Sequence, residues 1–289
     1  MLSLIIPVGD LERDQEQLRK NFERLNFPTS LEIIVVFDFD TRFHKSDQFQ
    51  SYLVNLGIKV VETDARNPNQ ARLSGFRAAT HNYLVFCDSD DDINIGELTD
   101  LATTICELDT LRIYSFDSIQ LKSNSKITRR YDANYLNLLR FPGLWRVVIP
   151  RKMLKSEFFI PTKMGEDLAL LCGTLLNADK ILFSRRKFYQ YIQHSNTRLS
   201  LSRDQNVYFE TVTEFTQLMR FNVRKVNFNA ILAAGVYTSF VISTLKVSQI
   251  RKWGEVFRGL KVAILHNRKL GISMCLSLPL VCVAKFPIA

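Results

Sequence analysis

No Gly-x-Gly-x-x-Gly follows any strand-like segment in these 289 residues. That absence excludes the dinucleotide oxidoreductases, whose pyrophosphate needs a close backbone approach at such a turn. After the first apolar segment stands Pro7-Val-Gly-Asp10, a poor substitute for the Gly-rich phosphate turn of a nucleotidyltransferase. The five cysteines (Cys87, Cys106, Cys172, Cys275, Cys282) occur singly, in apolar contexts. Without paired spacing they form no zinc module, and their odd number suits buried small hydrophobes in a reducing compartment. No internal repeat or low-complexity linker interrupts the chain. No basic segment precedes the apolar residues 2–6, and Pro7 cuts them short. They are expected to form a first strand rather than a signal peptide, with the chemistry on the cytoplasmic side.

Long purely apolar runs are also missing. Residues 226–245 are uncharged and approach the ~20 residues a membrane span needs, but they include Asn227, Asn229, Thr238 and Ser243. Residues 270–284 are too short and contain Pro279. The scarcest feature is acid in the last quarter. Residues 222–289 carry ten Lys or Arg and only Glu255, which accounts for the whole net charge of +9 and leaves residues 1–221 neutral. Basic interfacial helices, peripheral on the inner face of an anionic membrane, are the expectation for this segment. An ordinary helical subdomain is the alternative. No nucleic-acid-binding motif accompanies the charge.

What is present is a composition with a real core, 46% hydrophobic and 23% charged. In the first ~120 residues strand and helix patterns alternate at βαβ lengths, which argues an α/β fold with a mainly parallel sheet. Strands are expected at 2–6, 32–36, 58–62, 83–87 and 111–116. Helices are expected at 12–25, 46–56, from Asn67 to about 79, and 95–108. Asn67-Pro-Asn-Gln70 is a helix start, with Asn as the cap, Pro in the first turn and Gln at the capping-box position. Further on, 144–149, 180–184 and 188–192 read as extended and 166–177 as helical. Ser202 and Gln205 suggest another cap, and helices follow it.

The richest stretch is Tyr83-Leu-Val-Phe-Cys-Asp-Ser-Asp-Asp-Asp92. An apolar strand runs straight into Asp88, Asp90, Asp91 and Asp92. Carboxylates so close repel one another and raise each other's pKa unless a cation neutralises them. Magnesium or manganese accepts such oxygen ligands and commonly carries a phosphate as well. A strand end in an open α/β sheet is also where ligands bind. The alternative is an acidic turn leading into the helix near Ile95.

Four further segments stand in order with this one: Leu2-Ser-Leu-Ile-Ile-Pro-Val8, Ile33-Ile-Val-Val-Phe-Asp38, Gln70-Ala-Arg-Leu-Ser-Gly75 and Gly165-Glu-Asp167. With them the chain resembles the family 2 glycosyltransferases, nucleotide-sugar enzymes of the GT-A fold, over about residues 2–200. The resemblance implies a GT-A domain over 1–201, with nucleotide-sugar binding in about 1–120 and the acceptor side in about 121–201, followed by the basic helical segment 202–289. It implies inverting transfer of one sugar, UDP-linked in expectation, to a saccharide or lipid-linked saccharide in surface-polysaccharide or glycolipid synthesis.

Roles follow residue by residue. Pro7 and Val8 close the first strand at the nucleotide. Asp38 would accept from the uracil N3–H, with a turn cap as its alternative. Arg72 would reach the base or the diphosphate. Asp88 and Ser89 would contact the donor, with Asp88 also a metal ligand. Asp90 would hold the divalent cation, and Asp91 is its rival because a run of three acids leaves the position open by one. Asp167, or else Glu166, would be the base that takes the acceptor proton. Tyr189–Ser200 resembles the family's Tyr-x-Tyr-Arg-x-His tail, which makes His194 a phosphate contact or metal ligand. Trp145 and Arg146 fall on the acceptor side, with a core Trp as the alternative. The sequence departs from the family at Gly9, Phe37, Phe39, Asp40 and Leu73, which bears on base identity and turnover. A sugar-phosphate nucleotidyltransferase and a non-catalytic nucleotide-sugar binder therefore remain the rival readings.

Overall fold

The structure, a computed structural model, describes residues 1–23, 30–38, 47–107, 109–122, 125–162, 165–193, 205–245, 261 and 264–285. Two compact units emerge. Unit one comprises Met1–Ala133, Trp145–Lys152 and Asp179–Asn196, and unit two comprises Asn134–Leu144, Met153–Ala178 and Thr197–Ala289. The boundary expected near residue 201 falls outside the described residues.

Unit one is built on alternating strands and helices: β1 (Leu2–Val8), α1 (Leu11–Phe22), β2 (Leu31–Asp38), α2 (Asp47–Asn55), β3 (Lys59–Thr63), α3 (Pro68–Ala78) and β4 (Tyr83–Phe86). After β4 come the two-residue β5 (Asp92–Ile93), α4 (Ile95–Thr104), β6 (Thr110–Tyr114), β7 (Phe116–Lys122) and β8 (Ser125–Tyr131). The later pieces are β9 (Val147–Pro150), β10 (Lys180–Ser184) and β11 (Tyr189–Gln193). The main sheet runs β10-β6-β9-β4-β1-β2-β3. It is parallel except at β9, which pairs antiparallel with both β4 and β6. The central strands are apolar on both faces, as a sheet covered by helices requires, and every residue of β1 is buried.

Pro7 sits near the end of that central strand without breaking it. The Cys87 N–H donates to the Ile5 carbonyl at 3.1 Å, so the backbone of Ile5, and of Pro7 two residues on, faces β4. There β4 has already ended at Phe86, and the missing proline N–H is not needed. Gly75 in α3 has a close-approach role: a Cβ there would lie 2.4 Å from Ile5 Cγ2 and 3.0 Å from Val36 Cγ2. The helix lies on the sheet because this residue has no side chain.

One expected strand is two. The stretch 111–116 breaks at Ser115, whose N–H and Oγ both donate to the Ser184 carbonyl (3.0 and 3.2 Å), while the Oγ accepts from the Ala133 N–H. The chain leaves the main sheet there and enters a second one, β5-β11-β7-β8. The β7–β8 hairpin was not foreseen, and 144–149 divides into a 3-10 turn at Leu144–Arg146 followed by β9.

The described elements of unit two are helical: α5 (Tyr135–Arg140), α6 (Glu166–Asn177), α7 (Gln205–Asn222), α8 (Phe228–Leu245) and α9 (Arg268–Lys285), with a short 3-10 turn at Ser156–Phe158. Among them α8 corrects the interfacial expectation for 226–245. Leu232, Ala233, Ala234, Val236 and Tyr237 succeed one another around the helix, and all are buried. Its polar residues bond inward: Asn229 Nδ2 donates to the Ala178 carbonyl at 2.6 Å and Ser239 Oγ to the Leu139 carbonyl at 3.1 Å. Over residues 229–241 this is a helix packed inside a bundle, with no exposed residue among them. Among the described residues, no helix is long and apolar enough to cross a membrane.

Candidate functional site

The acidic turn between β4 and β5 is fastened from beneath by α1. Asp10 caps that helix by accepting from the Arg13 N–H at 3.1 Å. One turn in, the wholly buried Asp14 accepts from Arg13 Nε and Nη2 at 2.5 and 3.0 Å and from Ser89 Oγ at 2.5 Å. The bond to Asp14 holds the Arg13 guanidinium firmly charged, pushing its pKa up. Asn21 Nδ2 and Gln17 Nε2 donate to the Asp91 carbonyl at 2.9 and 3.2 Å. Ser89 therefore serves to seat the turn, and its hydroxyl hydrogen goes to Asp14.

The third acid faces inward. Asp91 is 2% exposed, accepts from the Ile192 N–H at 2.6 Å, and receives the Tyr189 hydroxyl on its other oxygen. Burial, with Asp88 and Asp90 adding to it, pushes the Asp91 carboxyl well above the usual carboxylate range. Asp88, Asp90 and Asp92 keep side chains about one-third exposed, Asp92 with Lys20 Nζ at 3.5 Å. Asp88 accepts from Arg72 Nη2 at 2.9 Å, and Arg13 Nη2 stands 3.9 Å from Asp90. Two half-open carboxylates at a strand end, each beside a guanidinium, are a donor set for a hard cation and a diphosphate. Among the described residues no group of three or more His, Cys, Asp or Glu forms a complete metal cage. A cation here would need the ligand's own oxygens to fill its shell, which fits the preference of magnesium for phosphate and water.

Asp38 ends β2 with both oxygens engaged, accepting from the Arg66 and Asn67 N–H groups at 2.7 Å each. Arg66 has φ 51°, the one non-glycine residue described with positive φ, and the paired bonds hold that strained turn in place. Asn67 then caps α3 as expected, accepting from the Asn69 and Gln70 N–H groups, which aims the buried Arg72 at Asp88. Each Asp38 oxygen keeps a second lone pair for a ligand donor.

Trp145 packs against the core. Its ring is parallel to those of Tyr189 and Tyr191 at 4.6 and 5.6 Å and meets Phe116 edge-on. The Tyr189 that stacks on Trp145 is also the one that holds Asp91, so this ladder supports the acidic turn. Arg146 is fully buried, its guanidinium 5.1 Å from the Phe116 ring centroid, and burial pulls its pKa down to about 9. The acceptor-side expectation for Arg146 gives way to a core position, because no part of it reaches solvent.

Glu166 and Asp167 open α6 in unit two. The helix cap is Gly165 at φ 68°, not an acid, so the simple N-capping alternative for the two carboxylates does not hold. They occupy the first helical turn, partly exposed. Asp38, Arg72, Asp88 and Asp90 belong to unit one. His194, Phe39, Asp40 and Ser202 lie outside the described residues. Four residues of the site escaped the sequence reading, namely Arg13, Asp14, Asn21 and the ring of Tyr189 in its bond to Asp91. Their one legible signal was the polar pair Arg13-Asp14 in the first turn of the helix that follows β1.

Comparison with known proteins places these features. The glycosyl transferase family 2 profile matches residues 11–163. The poly(ribitol-phosphate) beta-N-acetylglucosaminyltransferase TarS of Staphylococcus aureus is 31% identical over 202 residues, 65% of this chain and 35% of the relative. The chain thus aligns with about a third of that protein's length. The crystal structure of S. aureus TarS 1-349 in complex with UDP-GlcNAc superposes with a TM-score of 0.69 at 17% identity, covering 98% of this chain and 90% of that one. GalNAc-T7 with UDP, GalNAc and Mn2+ superposes at 0.53 with 13% identity, over 93% of this chain and 56% of that one. At these identities the likeness establishes the fold, an α/β GT-A architecture with a helical C-terminal region.

Proposed function

The chain belongs to glycosyl transferase family 2, and from that premise we propose that it moves one sugar from a UDP-sugar to a hydroxyl of a surface polymer or lipid-linked saccharide, with inversion. The observation that carries the reading is the sorting of the acid run. One aspartate is turned inward and held by Tyr189 and the Ile192 N–H, while Asp88 and Asp90 stay half-open beside Arg72 and Arg13. A purely structural acidic turn would have no need to hold two carboxylates partly exposed around a third that is buried.

Asp88 and Asp90 are the residues that would hold a divalent cation, which would neutralise charge on the leaving diphosphate. Arg72 orients Asp88 and adds positive charge beside the phosphates. Asp38 has lone pairs for an imino N–H of the base. Asp167 takes the acceptor proton, with Glu166 its neighbour in the same helical turn. N-acetylglucosamine is the first sugar to test and a polyol-phosphate polymer the first acceptor, because the TarS relative is named for both. This reading places the chain on the cytoplasmic side of the membrane, where such acceptors are assembled from nucleotide sugars.

The test is UDP release from UDP-N-acetylglucosamine with magnesium or manganese, with and without poly(ribitol phosphate). Acceptor-dependent UDP release supports the proposal. Pyrophosphate formation from a sugar phosphate and a nucleoside triphosphate would instead reveal a nucleotidyltransferase. Tight binding of the nucleotide sugar with no turnover on any acceptor would make the chain a binder.

A further inference from the structure

Helix α9 is built inside out. The residues it turns inward are Leu270, Gly271, Ser273 and Ser277, while Ile272 and Leu276 are each 51% exposed. Small inward residues let the helix lie close to its neighbours; a Cβ on Gly271 would meet Ile264 Cγ2 at 2.7 Å. Just before α9, Leu265 in the helical residues 264–266 is 67% exposed. An ordinary surface helix reverses this arrangement.

The N-terminal end of α9 is tied to the corner between α7 and α8. Asn267 Nδ2 donates to the Arg220 and Val223 carbonyls at 2.7 and 2.9 Å, and Lys269 Nζ donates to the Arg224 carbonyl at 2.5 Å. Those bonds bring the corner's Phe221, 69% exposed, to the same end of the bundle as the apolar stripe. Exposed Arg224, Lys225 and Arg268 stand around them. No acid occurs anywhere in 222–289 except Glu255. Exposed Phe, Ile and Leu side chains with cations at the adjoining corner match the two requirements of an interfacial anchor: apolar insertion and attraction to anionic headgroups.

We propose that this face of unit two, the outer stripe of α9 with the α7–α8 corner, docks on a bilayer rich in anionic phospholipid. The inference rests on the membrane-side reading of function given above, and it assigns the contact to α9 and excludes α8. Charge selects lipid over a second copy of the chain, since two such surfaces brought face to face would repel.

The experiment is co-sedimentation of the full chain with phosphatidylglycerol-rich and with phosphatidylcholine vesicles. Each Lys or Arg at an anionic surface strengthens binding about fivefold, so Lys225→Gln with Arg268→Gln should weaken it roughly 25-fold. Ile272→Glu with Leu276→Glu, both on solvent-facing helical positions, should weaken it at least as much. Both variants should keep the wild-type urea midpoint and UDP-sugar turnover on a soluble acceptor. Wild-type binding should fall as salt shortens the Debye length from about 10 Å at 0.1 M to about 3 Å at 1 M. Equal binding to both vesicle types, no binding to either, or undiminished binding by both variants overturns the proposal. So does a wild-type dimer in solution that Ile272→Glu dissociates, because the face would then meet a second copy. Vesicle binding without any turnover would sink the catalytic reading and leave this surface standing, and turnover without vesicle binding would do the reverse.

Discussion

Asp90→Asn and Asp91→Asn are the same chemical change on adjacent residues, and they should have opposite consequences. Asp91 spends its carboxyl on the Tyr189 hydroxyl and the Ile192 N–H, buried at 2% exposure. An asparagine there can accept from the Ile192 N–H with its oxygen and donate its amide to a reversed Tyr189 hydroxyl. Both bonds can be kept and Asp88 and Asp90 are untouched, so metal-dependent UDP binding should change little. Asp91→Ala differs, because it leaves two protein donors without an acceptor at about 1–3 kcal/mol each. The expected loss of stability is about 2–6 kcal/mol.

Asp90 stands one-third exposed at the turn, with Arg13 Nη2 at 3.9 Å. At an effective dielectric near 20, two unit charges about 4 Å apart interact by about 4 kcal/mol. Discounting for exposure, loss of the Asp90 charge should weaken cation-dependent UDP binding by about 100-fold or more. The assay is calorimetric titration of UDP with and without manganese, paired with urea unfolding of each variant. If Asp91→Asn lost metal-dependent binding at an unchanged urea midpoint, or Asp90→Asn kept it, the assignment of the acids would be reversed.

Three further outcomes follow from particular contacts. The Asp91 carboxyl is raised in the folded state by burial first and by Asp88 and Asp90 second. Its contribution to stability is therefore full below the unfolded carboxylate pKa of about 3.9 and is lost as pH rises through the raised folded value, with a slope of up to about 1.4 kcal/mol per pH unit; Asp91→Asn should lack that slope, and parallel stability–pH curves for the two proteins would refute the inward acid. Asp167→Asn should keep donor affinity and lose transfer by roughly 10²–10⁴-fold; loss of donor binding in an equilibrium titration would move the residue to the donor side. Gly165→Ala puts a Cβ at φ 68° and 2.9 Å from Phe240 Cε2, so it should cost at least about 1–2 kcal/mol, and an unchanged thermal midpoint would count against the cap geometry.

The parallel half of the fold was legible because local and global signals coincide there. Asn67-Pro68 opens α3 with the cap the sequence implies, and strands β1, β2 and β4 are continuous apolar runs, as buried parallel strands must be. The second sheet was not legible. Its hairpin 116–131 carries the exposed Lys126, Arg129 and Arg130, so an alternating apolar pattern is diluted by charge. Ser115 ends one strand and precedes another through bonds to Ser184 and Ala133 that no local pattern announces. The uncharged run of α8 misled for a related reason. A helix surrounded by other helices and one surrounded by lipid have similar composition, and only the inward bonds of Asn229 and Ser239 tell them apart.

The same limit decided how much of the site was visible. That the chain carries carboxylates at a strand end followed from the sequence, because the strand and the acids are contiguous. Which of three adjacent aspartates turns inward depends on Tyr189, 98 residues later, and on Asn21, 70 residues earlier. In a turn without a fixed period, neighbouring side chains have no predetermined faces. Distant partners therefore set the direction, and here they do so by offering a buried hydroxyl and an N–H to Asp91. Once Asp91 is held there, the backbone just before it carries Asp88 and Asp90, and Arg72 and Arg13 complete the arrangement from α3 and α1. Trp145 stacks on Tyr189 and so takes part at one remove. A change at Trp145 should thus reach Asp91 and the acidic turn by way of Tyr189.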